Sequence, residues 1–351
     1  MGNLLNVMIY PLVSVNMPVY NGAKYIKQAI DSILNQTFSN FELIIVDDGS
    51  TDNSTKIIES YLDFRIKLYS NEINRGLAYT RNKAIELSCG KYIAVLDCDD
   101  IAYPERLEKQ VSFLEANPEY GLVGSWFDIV DKNSISNGDV VKLTLASHLI
   151  KSQLFFGNYF AQSTIMMRKE IFYEFRYHSE FAPAEDYFLW SQIAFKYKVA
   201  NLQESLVKYR SHDESISFRN IDVQEARVKK IFAFHLSQLS LSNFSEKQLE
   251  LHYLLLRNKL DHNAKCWHVH YEILAWIKLL KTQNNTLKIY DLNFFNDNLT
   301  KYWNQFFQTS YQYGIKAIPL VFDPINNSVK LKAKLRFIYK CIRKEAKRWL
   351  G

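Results

Sequence analysis

The chain has 351 residues, 48% of them apolar and 23% charged, which excludes a disordered or collagen-like polymer and allows two or three domains. Its net charge of +6 hides a division: residues 1 to 220 carry 22 Lys and Arg against 27 Asp and Glu, and residues 221 to 351 carry 21 against 10. Basic side chains in the first part stand singly, whereas a nucleic-acid surface needs a contiguous basic stripe, so that partner is excluded.

No uncharged apolar run approaches the ~18 residues of a membrane span. Residues 1 to 23 carry no charge, yet they lack a basic n-region and are broken by Pro11, Asn16 and Pro18, so no signal peptide is expected. Asn6 stands where a myristoylation signal has Ser or Thr. Cys89, Cys98, Cys266 and Cys341 show no Cys-x-x-Cys spacing, which fits a reducing cytoplasm better than a zinc site or a disulfide framework.

In chain order, short β-rich runs alternate with helical patterns, the signature of a parallel sheet built from βα units. The strands predicted are Leu12 to Met17, Glu42 to Asp47, Ile66 to Ser70 and Tyr92 to Asp97. Between them Ala23, Ile26, Ile30, Ile33 and Leu34 fall at helical spacing, as do Ile57, Ile58 and Tyr61, and then Leu77, Ala84, Ile85 and Leu87. Pro104 opens a helix over Glu105 to Ala116, and Asn117-Pro118 closes it. From Gly121 to about Tyr209 the pattern is mixed, with strands at Leu122 to Val130 and Thr164 to Arg168 and a helix from Asp186 to Lys196. After about residue 220 the windows Val223 to Leu239, Glu246 to Leu260 and Ala264 to Leu280 are helical. The fold class is therefore α/β over residues 1 to 220, followed by a helical region over 221 to 351.

Three acidic or polar motifs sit where an open parallel sheet places its ligands, at the carboxyl ends of strands. Pro18-Val19-Tyr20-Asn21 follows the first strand, Asp47-Asp48-Gly49-Ser50-Thr51-Asp52 the second, and Asp97-Cys98-Asp99-Asp100 the fourth. Carboxylates converging on one sheet edge repel one another, so the pattern suggests a bound cation or a hydrogen-bonding ligand. Mg²⁺ or Mn²⁺ shared with a diphosphate fits, because these ions prefer oxygen ligands and keep positions open for phosphates. Each motif alone has a plainer reading: a strand-ending turn for Asp-Asp-Gly-Ser, a helix-capping pair for Glu185-Asp186, a surface loop for His212 and a core position for Tyr20. Their joint order on successive strand ends favours a site. An Asp-x-Asp phosphohydrolase is a competing class, but it places its pair on the first strand rather than the fourth. A nicotinamide enzyme would need Gly-x-Gly-x-x-Gly after the first strand, which is absent. A non-catalytic glycan-binding module would not need the acids.

The run VSVNMPVYNGAKYIKQAIDSILNQTF, followed by FELIIVDDGSTDNS, NRGLAYTRNKAIELSCGKYIAVLDCDD and YPERLEKQ, resembles the nucleotide-sugar-binding half of family 2 glycosyltransferases with the GT-A fold. The resemblance continues through STIMMRK, AEDYFLW and ESLVKYRSHDESIS to about residue 217. Its later elements are most similar to bacterial enzymes that add β-linked N-acetylhexosamine or hexose to lipooligosaccharide and capsule chains. The resemblance implies that Pro18, Val19 and Tyr20 line the nucleobase pocket, with Tyr20 as its stacking surface and Asn21 among the donor-binding residues, and that Asp48 accepts from the uracil N–H. It puts Arg81, and more weakly Arg75, beside base and diphosphate, and Asp97 with Cys98 at the donor ribose and sugar. Asp99 is implied as metal ligand, joined by Asp97 and His212; Arg210 approaches the diphosphate. Asp186 is implied as general base on the acceptor hydroxyl, with Glu185 holding acceptor or donor sugar. Ala161 departs from the pattern, where the most similar enzymes carry His. A UDP-sugar, a glycan acceptor and Mn²⁺ or Mg²⁺ follow as partners.

The basic excess collects at the end, in Lys330, Lys332, Lys334, Arg336, Lys340, Arg343, Lys344, Lys347 and Arg348 against the single acid Glu345. As a helix over about 326 to 350, Leu331, Leu335, Ile338, Ile342, Ala346 and Trp349 form one apolar stripe. Such a helix suits an anionic membrane surface, at ~1 kcal/mol per nearby Lys or Arg, and implies peripheral attachment to the inner face of the cytoplasmic membrane beside a lipid-linked acceptor. Packing on its own protein, or an oligomer contact, is the alternative.

Overall fold

The computed structural model describes residues 10–144, 146–212, 221–257, 268–326 and 329–350, in two compact units that divide after Val228. The first unit is built on one sheet whose strands run β3 (Ile66–Ser70), β2 (Phe41–Asp47), β1 (Val13–Val19), β4 (Tyr92–Val95), β8 (Met166–Arg168), β6 (Tyr120–Val130), β9 (Lys198–Arg210) and β5 (Ile101–Ala102). Strand β7 (Ser136–Val141) pairs with β6 outside this path. β1 to β4 are mutually parallel, and β8 is antiparallel to both β4 and β6.

Every residue of β1 and β2 is buried, as a parallel sheet covered on both faces requires. Helix α1 (Ile26–Leu34) covers it with Ile26, Ala29, Ile30 and Ile33, a stripe at three-to-four spacing. The other covering helices are α2 (Ser54–Glu59), α3 (Leu77–Leu87) and α4 (Arg106–Ala116); α5 (Ser147–Leu154) and α6 (Glu185–Lys196) follow in the second half of the unit. Since β1 pairs with β2 on one side and β4 on the other, the chain reverses direction across the sheet at β1, and a crevice opens beyond the carboxyl ends of β1 and β4.

Two local devices shape that crevice. Gly49 has φ +74, and a Cβ there would lie 2.8 Å from the Ile73 carbonyl carbon and 2.9 Å from Asn74 N. Gly49→Ala is accordingly expected to cost about 1 to 3 kcal/mol through the left-handed backbone and this close approach. Urea unfolding checks it, and an unchanged midpoint would contradict the strain. Arg106 is fully buried and donates through Nη2 to the carbonyls of Val95 (2.8 Å) and Ile165 (3.0 Å), tying the end of β4 to the segment entering β8. Burial pulls its guanidinium down to about 9, with Asp100 acting in the opposite sense.

The second unit is helical: the end of α7 (Ile221–Gln238), then α8 (Glu246–Arg257), α9 (His268–Leu287), α10 (Leu292–Thr309), a 3-10 segment Ser310–Phe322 and α11 (Leu331–Leu350). Its core gathers Phe232, Leu255, Ile277, Leu280, Phe295, Leu299, Trp303 and Phe306. Asp291 caps α10, its carboxylate accepting from Phe294 N at 2.8 Å. Among the described residues no helix is long and apolar enough to cross a membrane. Sequence patterning missed β5, β7, β9 and α5, and β4 ends two residues before Asp97. Cys266, and Ala264 to Trp267 of the third helical window, lie outside the described residues.

Candidate active site

The register Val19↔Asp47 brings the loops after β1 and β2 out side by side, and hydrogen bonds join them into one platform. Asn21, in left-handed backbone at φ 52, donates through its own N to Ser50 Oγ (2.9 Å) and accepts at Oδ1 from Thr51 N (2.8 Å). Gly22 N donates to Ser54 Oγ (2.9 Å), and Ala23 N to Asp52 Oδ2 (3.0 Å). Pro18 and Val19 are buried within β1, and Tyr20 opens to solvent, at 51% exposure. Asn21 is spent on the platform and acts as its brace.

Asp48 is buried beneath the loop that follows β3. Its Oδ1 accepts from Asn71 Nδ2 (2.7 Å) and Arg75 N (2.9 Å), and its Oδ2 from Gly76 N (2.9 Å). A carboxylate offers about four lone-pair positions, so the three bonds leave one, on Oδ2, for a ligand N–H. The Arg75 side chain is exposed and lies over the Tyr79 ring, 4.5 Å from its centroid.

Beyond β4 the turn Asp97-Cys98-Asp99-Asp100 meets side chains from three distant segments. The Arg81 guanidinium, nearly buried, donates through Nη2 to Asp97 Oδ1 (3.0 Å) and through Nη1 to Glu185 Oε1 (2.6 Å). Burial alone would lower the Arg81 pKa, but Asp97 and then Glu185 beside it hold it above its ordinary value. Asp97 is raised by burial against the pull of Arg81, with Asp99 adding to the rise. Asp186, next to Glu185 in the first turn of α6, is half-buried and accepts from Tyr187 N (2.6 Å) and Asn158 Nδ2 (3.1 Å). Burial, then Glu185 beside it, push its carboxyl up to about 6, which suits a base working near neutrality.

On the other flank, Asp99 Oδ2 stands 3.0 Å from His212 Nε2. The His212 ring lies 5.1 Å from that of Tyr25, and its Nδ1 is buried without a hydrogen-bond partner. A carboxylate oxygen and an imidazole nitrogen this close fit a shared divalent cation. Among the described residues no group of three or more metal-ligating side chains gathers.

Two expected donor contacts are placed elsewhere. Arg210 is 1% exposed, and all three guanidinium nitrogens are engaged: Nε with the Asp99 carbonyl (2.7 Å), Nη1 with Ser134 Oγ (2.9 Å), and Nη2 with Gln28 Oε1 (2.8 Å). It stands in the wall behind Asp99 and positions the turn, rather than meeting a diphosphate. Cys98 Sγ packs against the first loop, 2.9 Å from where a Cβ on Gly22 would lie, and burial raises its thiol well above the usual range. Asp97 is bound by Arg81, both of its oxygens lying within 3.3 Å of Nη2. Sequence reasoning missed Asn158, Asn71 and Ser163, whose Oγ accepts from Asp97 N at 3.0 Å. It also missed Asp100, which accepts from Arg210 N at 2.7 Å. Asp100 alone had a sequence signal, as the third acid of its motif.

The family model described as "Glycosyl transferase family 2" matches residues 14–176. An uncharacterized glycosyltransferase of Haemophilus influenzae is 37% identical over 232 residues, covering 63% of this chain and 72% of that one. The Escherichia coli UDP-Glc:alpha-D-GlcNAc-diphosphoundecaprenol beta-1,3-glucosyltransferase WfgD is 33% identical over 208 residues, covering 59% and 79%. Among solved structures, S. aureus TarS 1-349 in complex with UDP-GlcNAc superposes with a TM-score of 0.55 at 17% identity, covering 96% of this chain and 91% of that one, a likeness of fold. With a strand order and acidic crevice of the GT-A kind and these relatives beside it, the chain belongs to glycosyl transferase family 2.

Proposed function

We propose that this glycosyltransferase is inverting and metal-dependent, and moves a hexose or N-acetylhexosamine from a UDP-sugar to a hydroxyl of a cell-surface glycan. The acceptor is lipid-linked, carried on the inner face of the cytoplasmic membrane. The observation that carries the reading is the Arg81 fork. One guanidinium holds Asp97 of the turn that bears Asp99 and Glu185 of the turn that bears Asp186, so cation-binding acid and base border one crevice.

In this reading the base stacks on exposed Tyr20, and its ring N–H meets the last lone pair of Asp48 Oδ2, which selects uridine over cytidine. Asp99 and His212 would hold the cation, whose chemistry is to neutralise charge developing on the departing diphosphate. Arg210 keeps the Asp99 turn in place. Asp186 takes the proton of the attacking acceptor hydroxyl, oriented by Asn158 and Tyr187 N. A single displacement inverts the anomeric centre, so an α-linked donor yields a β-linked product. Both Asp97 oxygens lie within reach of Arg81 Nη2, which argues against Asp97 as a phosphohydrolase nucleophile. The names of two relatives support the donor class, since WfgD is called a UDP-Glc transferase and TarS is crystallised with UDP-GlcNAc. WfgD's diphosphoundecaprenol-linked acceptor supports the lipid anchor.

Thermal unfolding tests the donor reading. UDP with Mn²⁺ at about one hundred times its Kd should stabilise the protein by roughly 2.7 kcal/mol, a rise in Tm of about 5 to 10 °C for a unit of this size. CDP with Mn²⁺ should give little. No shift with UDP and Mn²⁺, or an equal shift with CDP, would remove the uridine assignment.

A further inference from the structure

Leu331, Leu335 and Ile342 of α11 stand exposed, and the chemistry of that face names an occupant. The helix is held down along one seam. Phe337 stacks on Phe307 with ring centroids 4.3 Å apart, Cys341 is fully buried, and Glu345 packs so closely on Gly314 that no Cβ fits there. These residues recur every fourth position, and they draw the helix's single acid inward. The apolar stripe is a different set. Leu331, Leu335 and Ile342 are 71%, 57% and 52% exposed, with Ala346 open beside them and Ile338 half-buried. At ~100° per residue the stripe begins about a quarter turn from the seam, and Lys332, Arg336 and Arg343 follow on its far side. Those three, with Lys340, Lys344 and Lys347, are exposed. The Arg348 and Trp349 side chains lie outside the described residues. The segment on which the helix packs also exposes Ile315 and Phe322.

A helix whose only role is to close its own unit would bury its broadest apolar stripe and leave the edges wet. Here the seam suffices to close the unit, and three large aliphatic side chains remain in water beside a row of cations. That arrangement matches the boundary of an anionic bilayer, where acyl chains lie under a negatively charged headgroup layer. We infer that α11 docks the protein on anionic lipid through Leu331, Leu335, Ile342 and Ala346, with Lys332, Arg336 and Arg343 on the headgroups. Charge complementarity selects lipid over a second copy of the chain, whose own α11 carries the same cations and would repel it. This deepens the proposed function by naming a surface on which a lipid-linked acceptor would be met, yet it is read without turnover.

Sedimentation with sucrose-loaded vesicles tests it on the full chain. The parent should pellet with vesicles of phosphatidylglycerol and phosphatidylcholine, should stay in the supernatant with phosphatidylcholine alone, and should be released as salt rises. The triple variant Leu331→Ser, Leu335→Ser, Ile342→Ser leaves the seam and every cation in place. It should keep the parental Tm and lose binding by tenfold or more. Lys332→Glu, Arg336→Glu, Arg343→Glu should lose it as well. Equal pelleting with neutral and anionic vesicles, or serine-variant binding equal to the parent's, would overturn the inference. So would a parent that is dimeric in lipid-free solution and a serine variant that is monomeric. Activity of the serine variant on a soluble acceptor should match the parent's, which separates failure of the docking surface from failure of the transferase reading.

Discussion

Replacing Asp186 by Asn is expected to leave UDP-sugar affinity near the parental value and to lower turnover by roughly 10² to 10⁴, the usual contribution of a positioned base. The amide keeps the shape of the side chain and can still meet Asn158, but it cannot accept the proton of a sugar hydroxyl. The pH profile carries the same assignment. With its carboxyl at about 6, the parental kcat/KM should rise with pH towards that value and level off above it, and the residual activity of the Asn variant should lack this limb. Stability should move the opposite way. A carboxyl raised from 3.8 to about 6 favours the folded state when protonated, so the stabilisation is full below 3.8 and is lost as pH rises to about 6. Above that range Asp186→Asn should therefore unfold at a higher temperature than the parent, and the difference should vanish in acid. Near-parental turnover would move the base to Glu185, a poor candidate on its own geometry, since it is buried and bound to Arg81.

The contrast between what the sequence disclosed and what it hid follows from the range of the interactions. β1, β2 and α1 were legible because their signal is local: seven consecutive buried residues in each strand, and Ile26, Ala29, Ile30 and Ile33 on one helical face. β9 was not, because its pairing with β6 is broken by register shifts around Ser125 to Phe127, which interrupt the two-residue alternation of Lys198–Arg210. β7 reads Ser-Asn-Gly-Asp-Val-Val and buries too little to show a period. Within the site, the acids were visible as short motifs on strand ends, and their types alone pointed to a cation and a diphosphate. Their partners were not visible. Arg81 reaches Glu185 across 104 positions, and Arg210 reaches Gln28 across 182, and no spacing rule spans such distances. Arg210 is the instructive case: the resemblance implies a place at the diphosphate, whereas its burial and its bonds to the Asp99 carbonyl, Ser134 and Gln28 give it the surroundings of a structural brace.

Asp99→Ala should abolish detectable transfer, a loss of about 10³ or more, because several kcal/mol of charge stabilisation on the leaving diphosphate depends on the cation it would hold. The fold should survive the change. The Asp99 side chain is partly exposed and pairs with His212, whereas the turn itself is secured through the Asp99 carbonyl, to which Arg210 Nε donates, and through Asp100, and alanine retains both. Tm without ligands should match the parent's, while the increment given by UDP with Mn²⁺ should disappear. Mn²⁺ binding read by electron paramagnetic resonance should weaken in Asp99→Ala and in His212→Ala. It should remain parental in Asp97→Asn, since Asp97 is occupied by Arg81. That three-way comparison separates a cation held by the Asp99–His212 pair from one held by an Asp97-x-Asp99 pair. Parental rates in excess chelator would show that neither pair needs a metal, and leaving-group charge would then have to be met by exposed cations such as Arg75.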